Sequence, residues 1–482
     1  MTSFSITFSR RALCVLAVCI QACVACSEPG SRTPDGSVGS AAGTKWDGGR
    51  GDCEASSGGT PADCGAEASA GATPLGSGGN AGAAGAAGAA GYAGMADAAG
   101  SAGTADVADG GASGATGASG ASNADFVSAP HQPYPLVTYH GGPVIKNIEL
   151  VPVYFGDDPL RDDLERFNTW IVASDYWRRV GAEYGVEVGT RKAAAQFVPV
   201  SPISDVQIAS WIDARVADGS LPTPSANTVF VLYYPAETKI TAGAISNCSG
   251  FAGLHELASI VNPTFTGKVP FAIIPRCSFS SGDELMIATN VASHELMEMA
   301  TDPYSTANPA WQLDSSDGGP LEAWQMLTGI EVSDLCENQS YHVVEGFTVQ
   351  DHWSNAAAEA GKNPCQPSDP KHPFFSVSAE QTIYHAQPGS TLTINARAWS
   401  NMPAPDWELG VNWGWEPYSD FNGQAVLSTT TVNNGDEVTA TVTIPANPPM
   451  NAGRSAYRFT IDSIDPINPN FSHPWPFLVI VP

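Results

Sequence analysis

Three residues in the sequence SHELMEMATDP have the types and spacing of a metal-dependent hydrolytic site: His294, Glu295 and Glu298. On a helix, residues four positions apart lie on one face with Cβ atoms about 5–6 Å apart. His294 and Glu298 can therefore both bind one cation at roughly 2.0–2.2 Å. In the related HExxH pattern, the glutamate after the first histidine is the general base that deprotonates the attacking water. The HExxE pattern thus predicts metal-assisted hydrolysis with Glu295 as the base.

Acidic residues after this pattern supply candidates for the remaining metal ligands. Asp302 lies one turn beyond Glu298, and the segment EVSDLC adds Glu331 and Asp334. A histidine combined with two or three carboxylates suits zinc, and also manganese or calcium when more oxygen atoms take part. We therefore expect a divalent metal ion, with zinc as the first candidate. The same side chains are also compatible with a buried histidine–carboxylate network that only holds the helix in place.

The HExxE pattern lies in a predicted helix that begins after Asp283, which is a favoured N-cap residue. Good helix formers fill residues 284–301, and neither glycine nor proline occurs before Pro303. This helix would present His294 and Glu298 on one face.

Shorter elements alternate ahead of this helix. Three apolar runs rich in β-branched and aromatic residues are typical of buried strands: residues 148–155, 228–234 and 269–275. Two segments between them have apolar residues at the three- and four-residue spacing of amphipathic helices: residues 161–184 and 205–218. We therefore expect an α+β domain of zincin-like type at residues 130–368, with a mixed sheet against the HExxE helix.

A second domain is predicted after Cys365. The sequence QPSDPKHP is polar and proline-rich, and alternating stretches at residues 391–398 and 437–444 follow it. This pattern is typical of an all-β, immunoglobulin-like sandwich, which we place at residues 369–482. Four aromatic residues of this region either form a platform for sugars or fill the core of the sandwich: Trp407, Trp413, Trp415 and Tyr418.

The start of the chain predicts export. Arg10 and Arg11 precede a short apolar stretch and then small residues, which is the order of a secretory signal. Cys23 and Cys26 each stand in a sequence that resembles the bacterial lipobox. We therefore expect residues 1–26 to be a lipoprotein signal segment with one of these cysteines lipidated, and a signal peptide without lipidation is the alternative.

Residues 27–129 predict a disordered linker. They consist mainly of Gly, Ala, Ser and Thr in strings such as AGAAGAAGAAGYAG, with too few large apolar residues to offset the entropy of ordering. A flexible chain of this length spans roughly 55 Å root-mean-square. We expect a protein of the cell envelope that is tethered by its lipid anchor at the outer membrane or cell surface, or else secreted.

Composition excludes two classes of function. The chain of 482 residues has 21 basic and 49 acidic side chains, which gives a formal net charge of −28. A surface of this charge repels a phosphate backbone, so nucleic-acid binding is excluded. No apolar run approaches the roughly 18 residues that a membrane-spanning helix requires. Contact with a membrane is therefore expected only through the lipid anchor.

Four ordered motifs resemble the Exordium, or phosphate-induced, family. They are CSGFAGLHELASIVNP at residues 248–263, HELME followed by TDP, EVSDLC, and FTVQDHWSN at residues 347–355. The resemblance covers about residues 135–366 and implies a secreted, extracellular protein without an assigned reaction. Four positions differ from the family pattern: Ala252, Met297, Ser333 and Asp351.

The resemblance also implies site and disulfide residues. The matching site positions are His255, His294, Glu295, Glu298, Glu331 and Asp334. His255 is then a further ligand, a partner that orients a carboxylate, or a structural residue. The matching bridge positions are Cys248, Cys277, Cys336 and Cys365. Pairing each cysteine with its nearer neighbour closes two loops of equal length, but four cysteines allow three connectivities and the crossed pairings stay open.

Two functions from different classes are compatible with these features. The first is a surface-tethered, extracellular, metal-dependent hydrolase that acts on a peptide or related cell-wall substrate, in which His294 and Glu298, with Glu331 or Asp334, hold the cation. The second is a non-catalytic adhesion or polysaccharide-binding protein of the cell envelope, in which the acidic cluster is structural. Metal content combined with chelator-sensitive cleavage distinguishes them.

Overall fold

The computed structural model describes residues 126–278, 283–314, 319–337, 339, 341–413, 425–448, 455–469 and 471–482. The predicted signal segment with Cys23 and Cys26, the linker up to residue 125, and both Trp415 and Tyr418 lie outside the described residues. No helix in the described ranges combines the length and the apolar character needed to cross a lipid bilayer.

The described chain has a mixed α+β fold with more strand than helix. Its α-helices are α1 (Arg161–Ile171), α2 (Asp175–Gly181), α3 (Asp205–Ala217), α4 (Glu284–Thr301), α5 (Glu322–Thr328) and α6 (Asn355–Glu359). The strands up to residue 366 are β1 (Thr138–Tyr139), β2 (Glu149–Phe155), β3 (Thr190–Arg191), β4 (Ala195–Phe197), β5 (Ile203–Ser204), β6 (Thr228–Tyr234), β7 (Ile240–Ala242), β8 (Ile245–Ser246), β9 (Leu254–Asn262), β10 (Phe265–Pro275), β11 (Trp311–Gln312), β12 (Tyr341–Val344), β13 (Phe347–Gln350), β14 (His352–Trp353) and β15 (Cys365–Gln366).

The main sheet of this region is mixed and has the strand order β3-β2-β6-β10-β9, with β4 also paired to β2. The three predicted apolar runs form β2, β6 and the second half of β10, which are mutually parallel, while β9 returns antiparallel to β10. Every residue of β6 is buried, as expected for a parallel strand that is covered on both faces. Alternate side chains enter two separate cores, one shared with α1, α2 and α4 and the other with α3.

The segment 161–184 differs from the single helix that its apolar spacing predicts. It forms α1, α2 and a short 3-10 turn, and the break lies before Ser174. The Ser174 side chain accepts a hydrogen bond from the backbone N–H of Trp177, so it caps a new helix instead of continuing the first. The second predicted helix is confirmed as α3, where Ser204 and Gln207 form a capping box.

Helix α4 begins where its N-cap predicts, because the Asp283 carboxylate accepts a hydrogen bond from the N–H of Leu285 at 2.8 Å. All residues from Ile287 to Thr301 are buried. The helix contacts β10 on one side and β13 on another, so both its polar and its apolar faces are enclosed. Buried polar residues on such a helix require partners inside the protein.

The chain after residue 366 forms two further sheets. Its strands are β16 (Phe375–Ala379), β17 (Ile383–His385), β18 (Thr391–Ser400), β19 (Trp407–Trp413), β20 (Ala425–Leu427), β21 (Thr431–Val432), β22 (Glu437–Thr443), β23 (Ser455–Ile464) and β24 (Ser472–Val481). The sheet orders are β16-β18-β22-β20 and β17-β24-β23-β19-β21. β16 contacts β23 and β24 of the other sheet, which is consistent with the β-sandwich that the alternating pattern predicts.

Trp407 belongs to the core of this region and not to a sugar platform. It is 1% exposed, and its ring packs against Phe375 with centroids 4.9 Å apart. The side chain of Trp413 lies outside the described residues, like Trp415 and Tyr418. Of the two roles left open for these four residues, the structure therefore places Trp407 in the core.

Both disulfides join near neighbours along the chain. Cys248 pairs with Cys277 and Cys336 pairs with Cys365, each across 29 positions. The four bridge positions implied by the family resemblance are confirmed, and of the connectivities left open the structure has the nearer-neighbour pairing. The first bridge fixes the loop before β9, and the second fixes the segment after Glu331.

Residues 126–137, which we call the connecting segment, contact both halves of the described chain. Within it, the backbone N–H of Ala129 donates to Asn434 at 2.9 Å, and that of Val137 donates to Asn355 at 3.0 Å. The ring of Tyr134 lies within 5.4–6.2 Å of five aromatic rings drawn from both halves: Trp324, Trp353, Phe374, Trp399 and Trp475. The segment therefore packs at the junction of the two halves.

Candidate metal centre

The predicted site residues come from three elements of the first half. β9 supplies His255, α4 supplies His294, Glu295 and Glu298, and the turn after α5 supplies Glu331 and Asp334. His255 pairs with Ala272 of β10, and Ala272 faces the core that contains α4. The alternation of the strand thus directs His255 toward the helix, while its neighbour Leu254 enters the opposite core.

Among the residues that the structure describes, five of the six donors fall into two sets whose atoms lie within 4.8 Å of one another, and Asp334 belongs to neither set. The first set is His255, Glu298 and Glu331, and the second set is His294, Glu295 and Glu298. In the first set, His255 Nδ1 lies 3.4 Å from Glu298 Oε2 and its Nε2 lies 3.7 Å from Glu331 Oε1. In the second set, His294 Nε2 lies 3.2 Å from Glu298 Oε2.

Most of these separations are longer than good hydrogen bonds but match those between ligands of one metal ion. Hydrogen bonds between nitrogen and oxygen have an optimum of about 2.9–3.0 Å. Donors bound at 2.0–2.2 Å with tetrahedral angles lie about 3.3–3.6 Å apart. The His294–Glu298 contact lies close to that range, and the contact of His255 Nε2 with Glu331 lies just beyond it. The arrangement can therefore hold a cation.

Several of these atoms lack a hydrogen-bond partner among the described residues. They are His294 Nε2, both carboxylate oxygens of Glu298, Glu331 Oε1 and Asp334 Oδ1. The six predicted donors are between 0% and 8% exposed, so water does not supply the missing partners at the surface. Leaving an ionised carboxylate buried and unpaired costs several kcal/mol. A divalent cation would remove that cost, so the residues present fit a metal ion.

The tautomer of His294 follows from its neighbour Gln350. The amide Nε2 of Gln350 donates to the carbonyl oxygen of Ser333 at 2.8 Å, which identifies Oε1 as the acceptor end. His294 Nδ1 lies 3.1 Å from that Oε1 and donates to it. The proton therefore sits on Nδ1, and the lone pair of Nε2 faces the carboxylates, as a metal-binding imidazole requires.

His255 is oriented in the same way by Glu295. His255 Nδ1 donates to Glu295 Oε2 at 3.1 Å, so its Nε2 faces Glu331. This contact needs a glycine at position 253. A Cβ atom there would lie 2.2 Å from Val291 Cγ1 and 2.7 Å from Glu295 Oε1, which is closer than side chains approach each other.

Asp334 is fixed by the backbone of its own turn. Its Oδ2 accepts hydrogen bonds from the N–H groups of Ile330 at 2.9 Å and Glu331 at 3.1 Å. Its Oδ1 lies 3.7 Å from His294 Nε2. Gly329 has a positive φ of 108°, and a Cβ atom there would lie 2.2 Å from Asp334 Oδ2. The glycine leaves room for the carboxylate beside the helix.

Burial and mutual charge shift the pKa values of the cluster strongly. Burial and the charge of Glu298 raise the pKa of both Glu331 and Asp334 well above the usual range. Burial opposes charge on His255 and His294, yet the surrounding carboxylates raise the pKa of each imidazole well above its usual value. Burial alone would raise the pKa of Glu298, but the two histidines lower it to about 2. Protons and a cation therefore compete for the same atoms.

Two further residues complete the description of the centre. Asp302 ends α4, where its Oδ1 accepts a hydrogen bond from the N–H of Ala310 at 2.7 Å. Its buried Oδ2 has no hydrogen-bond partner among the described residues, and like Asp334 it belongs to neither set. His352 lies beside the centre, where its Nδ1 contacts Ser333 Oγ at 2.9 Å and its Nε2 contacts the hydroxyl of Tyr176 at 2.6 Å. Burial lowers the pKa of His352 to about 3, so this ring is neutral.

Sequence reasoning did not identify Gln350, Gly253 or Gly329. Gln350 stands in the FTVQDHWSN motif and Gly253 in the segment before His255, so both occur in the stretches that carry the family resemblance. Their roles depend on distances between segments that are far apart in the sequence. Spacing along one helix does not contain that information.

Comparison with known proteins does not assign this chain to a family. No family model and no curated protein matches it. Solved structures with weak similarity include domains 4 and 5 of the S-layer protein SbsC, at 14% identity over 23% of this chain and 53% of that chain, with a TM-score of 0.17. The periplasmic chaperone SfaE matches at 12% identity over 22% of this chain and 56% of that chain, also with a TM-score of 0.17.

A β-glucosidase from Listeria innocua in complex with glucose matches at 9% identity over 71% of this chain and 48% of that chain, with a TM-score of 0.14. The present chain therefore covers only about half the length of each of these structures. TM-scores this low establish neither a shared fold nor a shared function. The resemblance to the Exordium family stays a prediction.

Proposed function

We propose that this chain is a metal-dependent hydrolase of the cell envelope that cleaves a peptide or related amide. One observation carries the proposal. His294 Nε2, both carboxylate oxygens of Glu298, Glu331 Oε1 and Asp334 Oδ1 are buried and lack hydrogen-bond partners among the described residues. The 3.2 Å separation of His294 Nε2 from Glu298 Oε2 is that of two metal ligands, and a divalent cation at Glu298 would satisfy these unpaired atoms.

The roles of the chain's own residues follow from this geometry. Glu298 holds the cation, either with His255 and Glu331 or with His294, and Asp334 beside His294 is a further donor. When bound, a divalent cation polarises a carbonyl group and lowers the pKa of water at the site. Zinc is the first candidate, and the number of carboxylates keeps manganese and calcium open. Glu295 takes the proton of the attacking water and transfers it to the leaving amine.

The architecture around α4 supports a zincin-like arrangement. The helix packs on one face of a mixed sheet whose last strand in the order, β9, runs antiparallel to β10 and carries His255. An extended peptide can add to such an edge strand through main-chain hydrogen bonds. A substrate bound along β9 would lie beside the candidate centre. The immunoglobulin-like sandwich after residue 369 is part of the same proposal.

Export of the chain is also proposed. The two disulfides support it, because disulfide bonds persist in oxidising compartments outside the cytosol. The signal segment and the lipobox-like sequences at Cys23 and Cys26 indicate a lipid anchor, and the linker up to residue 129 would hold the folded part away from the lipid surface.

The substitution Glu295→Gln tests the assigned base in the full-length protein. Glutamine keeps an oxygen that accepts the hydrogen bond from His255 Nδ1, so bound metal should be retained. Turnover of a peptide substrate should fall by about 10²–10⁴-fold, which is the range for loss of a general base. Glu256→Gln, one residue after His255 in the sequence, is the matched control. Full activity in the Glu295 variant would show that the base is a different residue.

A non-catalytic polysaccharide-binding protein is the second candidate function. It is favoured by the burial of the six donors and by a cavity of about 720 Å³ whose described lining includes none of them. The cavity lies between the two halves and combines the aromatic residues Phe374 and Phe471 with the pairs His342–Asp351 and His372–Asp465. Its volume is in the range of small-ligand sites.

An affinity column of cell-wall polysaccharide tests this second function. Retention without cleavage of any peptide, unaffected by a chelator, would favour the binding protein. Chelator-sensitive cleavage without retention would favour the hydrolase.

A further inference from the structure

We propose that the candidate centre binds two divalent cations that share the carboxylate of Glu298. The inference rests on the proposed metal-binding function and extends it from one ion to a pair. One ion lies with His255 and Glu331, and the other lies with His294. Three independent features of the described residues lead to this number: the grouping of the donors, the orientation of the two imidazoles, and the balance of charge.

The first feature is the grouping of the donor atoms. Neither set of mutually close donors contains both histidines, and the two sets have only Glu298 in common. An ion with bonds of about 2.0–2.2 Å cannot hold donors more than about 4.4 Å apart. One ion would therefore use one set and leave the imidazole of the other without a partner. In two-metal hydrolytic sites the ions lie about 3.5–4 Å apart, a distance that one carboxylate can bridge.

The second feature is that each of the two histidines has a hydrogen bond that fixes the orientation and tautomer of its ring. His294 donates its Nδ1 proton to Gln350 Oε1, and His255 donates its Nδ1 proton to Glu295 Oε2, each at 3.1 Å. In both cases Nε2 then faces a different carboxylate at 3.7 Å, Asp334 for the first and Glu331 for the second. Hydrogen bonds of this kind fix the tautomer of metal-binding histidines. Each imidazole is therefore prepared to bind a cation through Nε2, and the grouping of the donors assigns the two imidazoles to different ions.

The third feature is the charge enclosed in the centre. Four carboxylates here pair with the two imidazoles or hydrogen-bond beside them, those of Glu295, Glu298, Glu331 and Asp334, and each is at most 4% exposed, while the buried carboxylate of Asp302 lies nearby. The ion pairs recorded for them in the described chain are all with His255 or His294. With both imidazoles neutral, two divalent cations balance the four negative charges, whereas one cation leaves two negative charges buried. Buried charges of this kind are strongly disfavoured.

Metal stoichiometry tests the inference directly. The full-length protein is stripped with a chelator, dialysed against Zn²⁺ or Mn²⁺, and analysed for metal by mass spectrometry, with titration calorimetry in parallel. We expect two equivalents in the native protein. His255→Gln should retain one equivalent through the second set, and His294→Gln should retain one through the first. Glu256→Gln is the matched control and should retain both.

Electron paramagnetic resonance of the Mn²⁺-loaded native protein gives a second measurement that does not depend on how a variant folds. Two ions that share Glu298 should give the spectrum of an exchange-coupled pair. One equivalent with the spectrum of an isolated ion would overturn the pair and leave the proposed metal-dependent function standing. No bound metal would overturn both. Two equivalents with uncoupled spectra would show two separate sites and would contradict the shared carboxylate.

Discussion

Gln350 shows how a residue with no charge can determine the chemistry of a charged site. Its amide is held at both ends, since Nε2 donates to the Ser333 carbonyl and Oε1 accepts from His294 Nδ1. The hydroxyl of Ser293 accepts a hydrogen bond from the Gln350 backbone N–H at 2.9 Å. The imidazole of His294 consequently has one tautomer and one ring orientation.

Substitution Gln350→Ala should weaken metal binding. Without the acceptor, the proton of His294 can move to Nε2 and the ring can rotate, so the affinity for Zn²⁺ should fall by about 10–100-fold. Competition with a chromophoric chelator measures this change. Gln366→Ala is the matched control, because the Gln366 amide contacts only nearby residues of its own turn in the described structure. An unchanged affinity in the Gln350 variant would show that the tautomer is fixed in another way.

At the scale of elements, the centre depends on the close approach of α4 and the segment that enters β9. Gly253 lies at the contact, and the space for its Cβ atom is filled by Val291 and Glu295. Helix α4 is buried around its whole circumference from Ile287 onward, so it cannot move away without disturbing β10 or β13. The position of the helix is therefore rigidly coupled to the strand.

Substitution Gly253→Ala should move the helix from the strand and disturb the centre. Overpacking of this kind costs about 1–3 kcal/mol of unfolding free energy. The His255–Glu295 hydrogen bond should also be lost, which would reduce the amount of metal bound. Chemical denaturation and metal analysis measure the two effects. Gly410→Ala is the control, since a Cβ atom there would meet Ile464 at an ordinary 3.6 Å. Equal stability of the two variants would contradict the close approach.

Local sequence patterns predict the positions of the helices and strands better than the contacts between them. The cap at Asp283 and the uninterrupted helix formers fix where α4 begins, and the apolar runs fix β2 and β6, because both signals are local. The break at Ser174 was missed, since the apolar spacing continues across it and only the serine side chain marks the cap. The position of Trp407 could not be resolved by composition either, because core and surface aromatics have the same sequence pattern.

In the candidate centre, likewise, contacts between residues close in sequence can be predicted, and contacts between distant segments cannot. The i, i+4 contact of His294 with Glu298 followed from helix geometry alone. The grouping of His255 with Glu331 did not, because it depends on the antiparallel return of β9 beside β10 and on a turn 76 positions farther along the chain. The sheet order determines that contact, and spacing in the sequence does not express it.

At the scale of the whole molecule, the two halves meet along aromatic side chains such as Trp324 and Trp475, whose ring centroids lie 5.4 Å apart, and a buried histidine lies in the second half. His473 of β24 packs its ring against Phe374 with centroids 4.6 Å apart and against Phe375 at 5.6 Å. Its Nδ1 has no hydrogen-bond partner among the described residues. Burial lowers the pKa of His473 to about 4, although Asp465 acts in the opposite direction. The ring is therefore neutral at neutral pH.

This burial should make the folded protein sensitive to acid. The unfolded chain takes up a proton on this histidine near pH 6.5 and the folded chain only near pH 4, so the stability contribution is present above about 6.5 and is lost as the pH falls toward 4. The loss amounts to at most about 3 kcal/mol. Urea unfolding of the native protein and of His473→Gln between these pH values gives the unfolding free energy of each. This free energy should depend less steeply on pH in the variant. The same pH dependence of the unfolding free energy in both proteins would show that His473 is not the source of the acid sensitivity. His385→Gln, at an exposed position of β17, is the control.

The connecting segment determines what a protease would release if it cut the chain between the proposed lipid anchor and the folded part. Its anchoring contacts begin at Val127, whose carbonyl oxygen accepts a hydrogen bond from Asn434 Nδ2 at 3.0 Å, and include the ring of Tyr134, which touches aromatic residues of both halves. A protease that cuts the predicted linker anywhere before residue 126 leaves all of these contacts intact. Such a cut would therefore release both halves still packed together. A cut just after Tyr134 would instead separate the first part of the connecting segment, with the Tyr134 ring, from the rest of the chain.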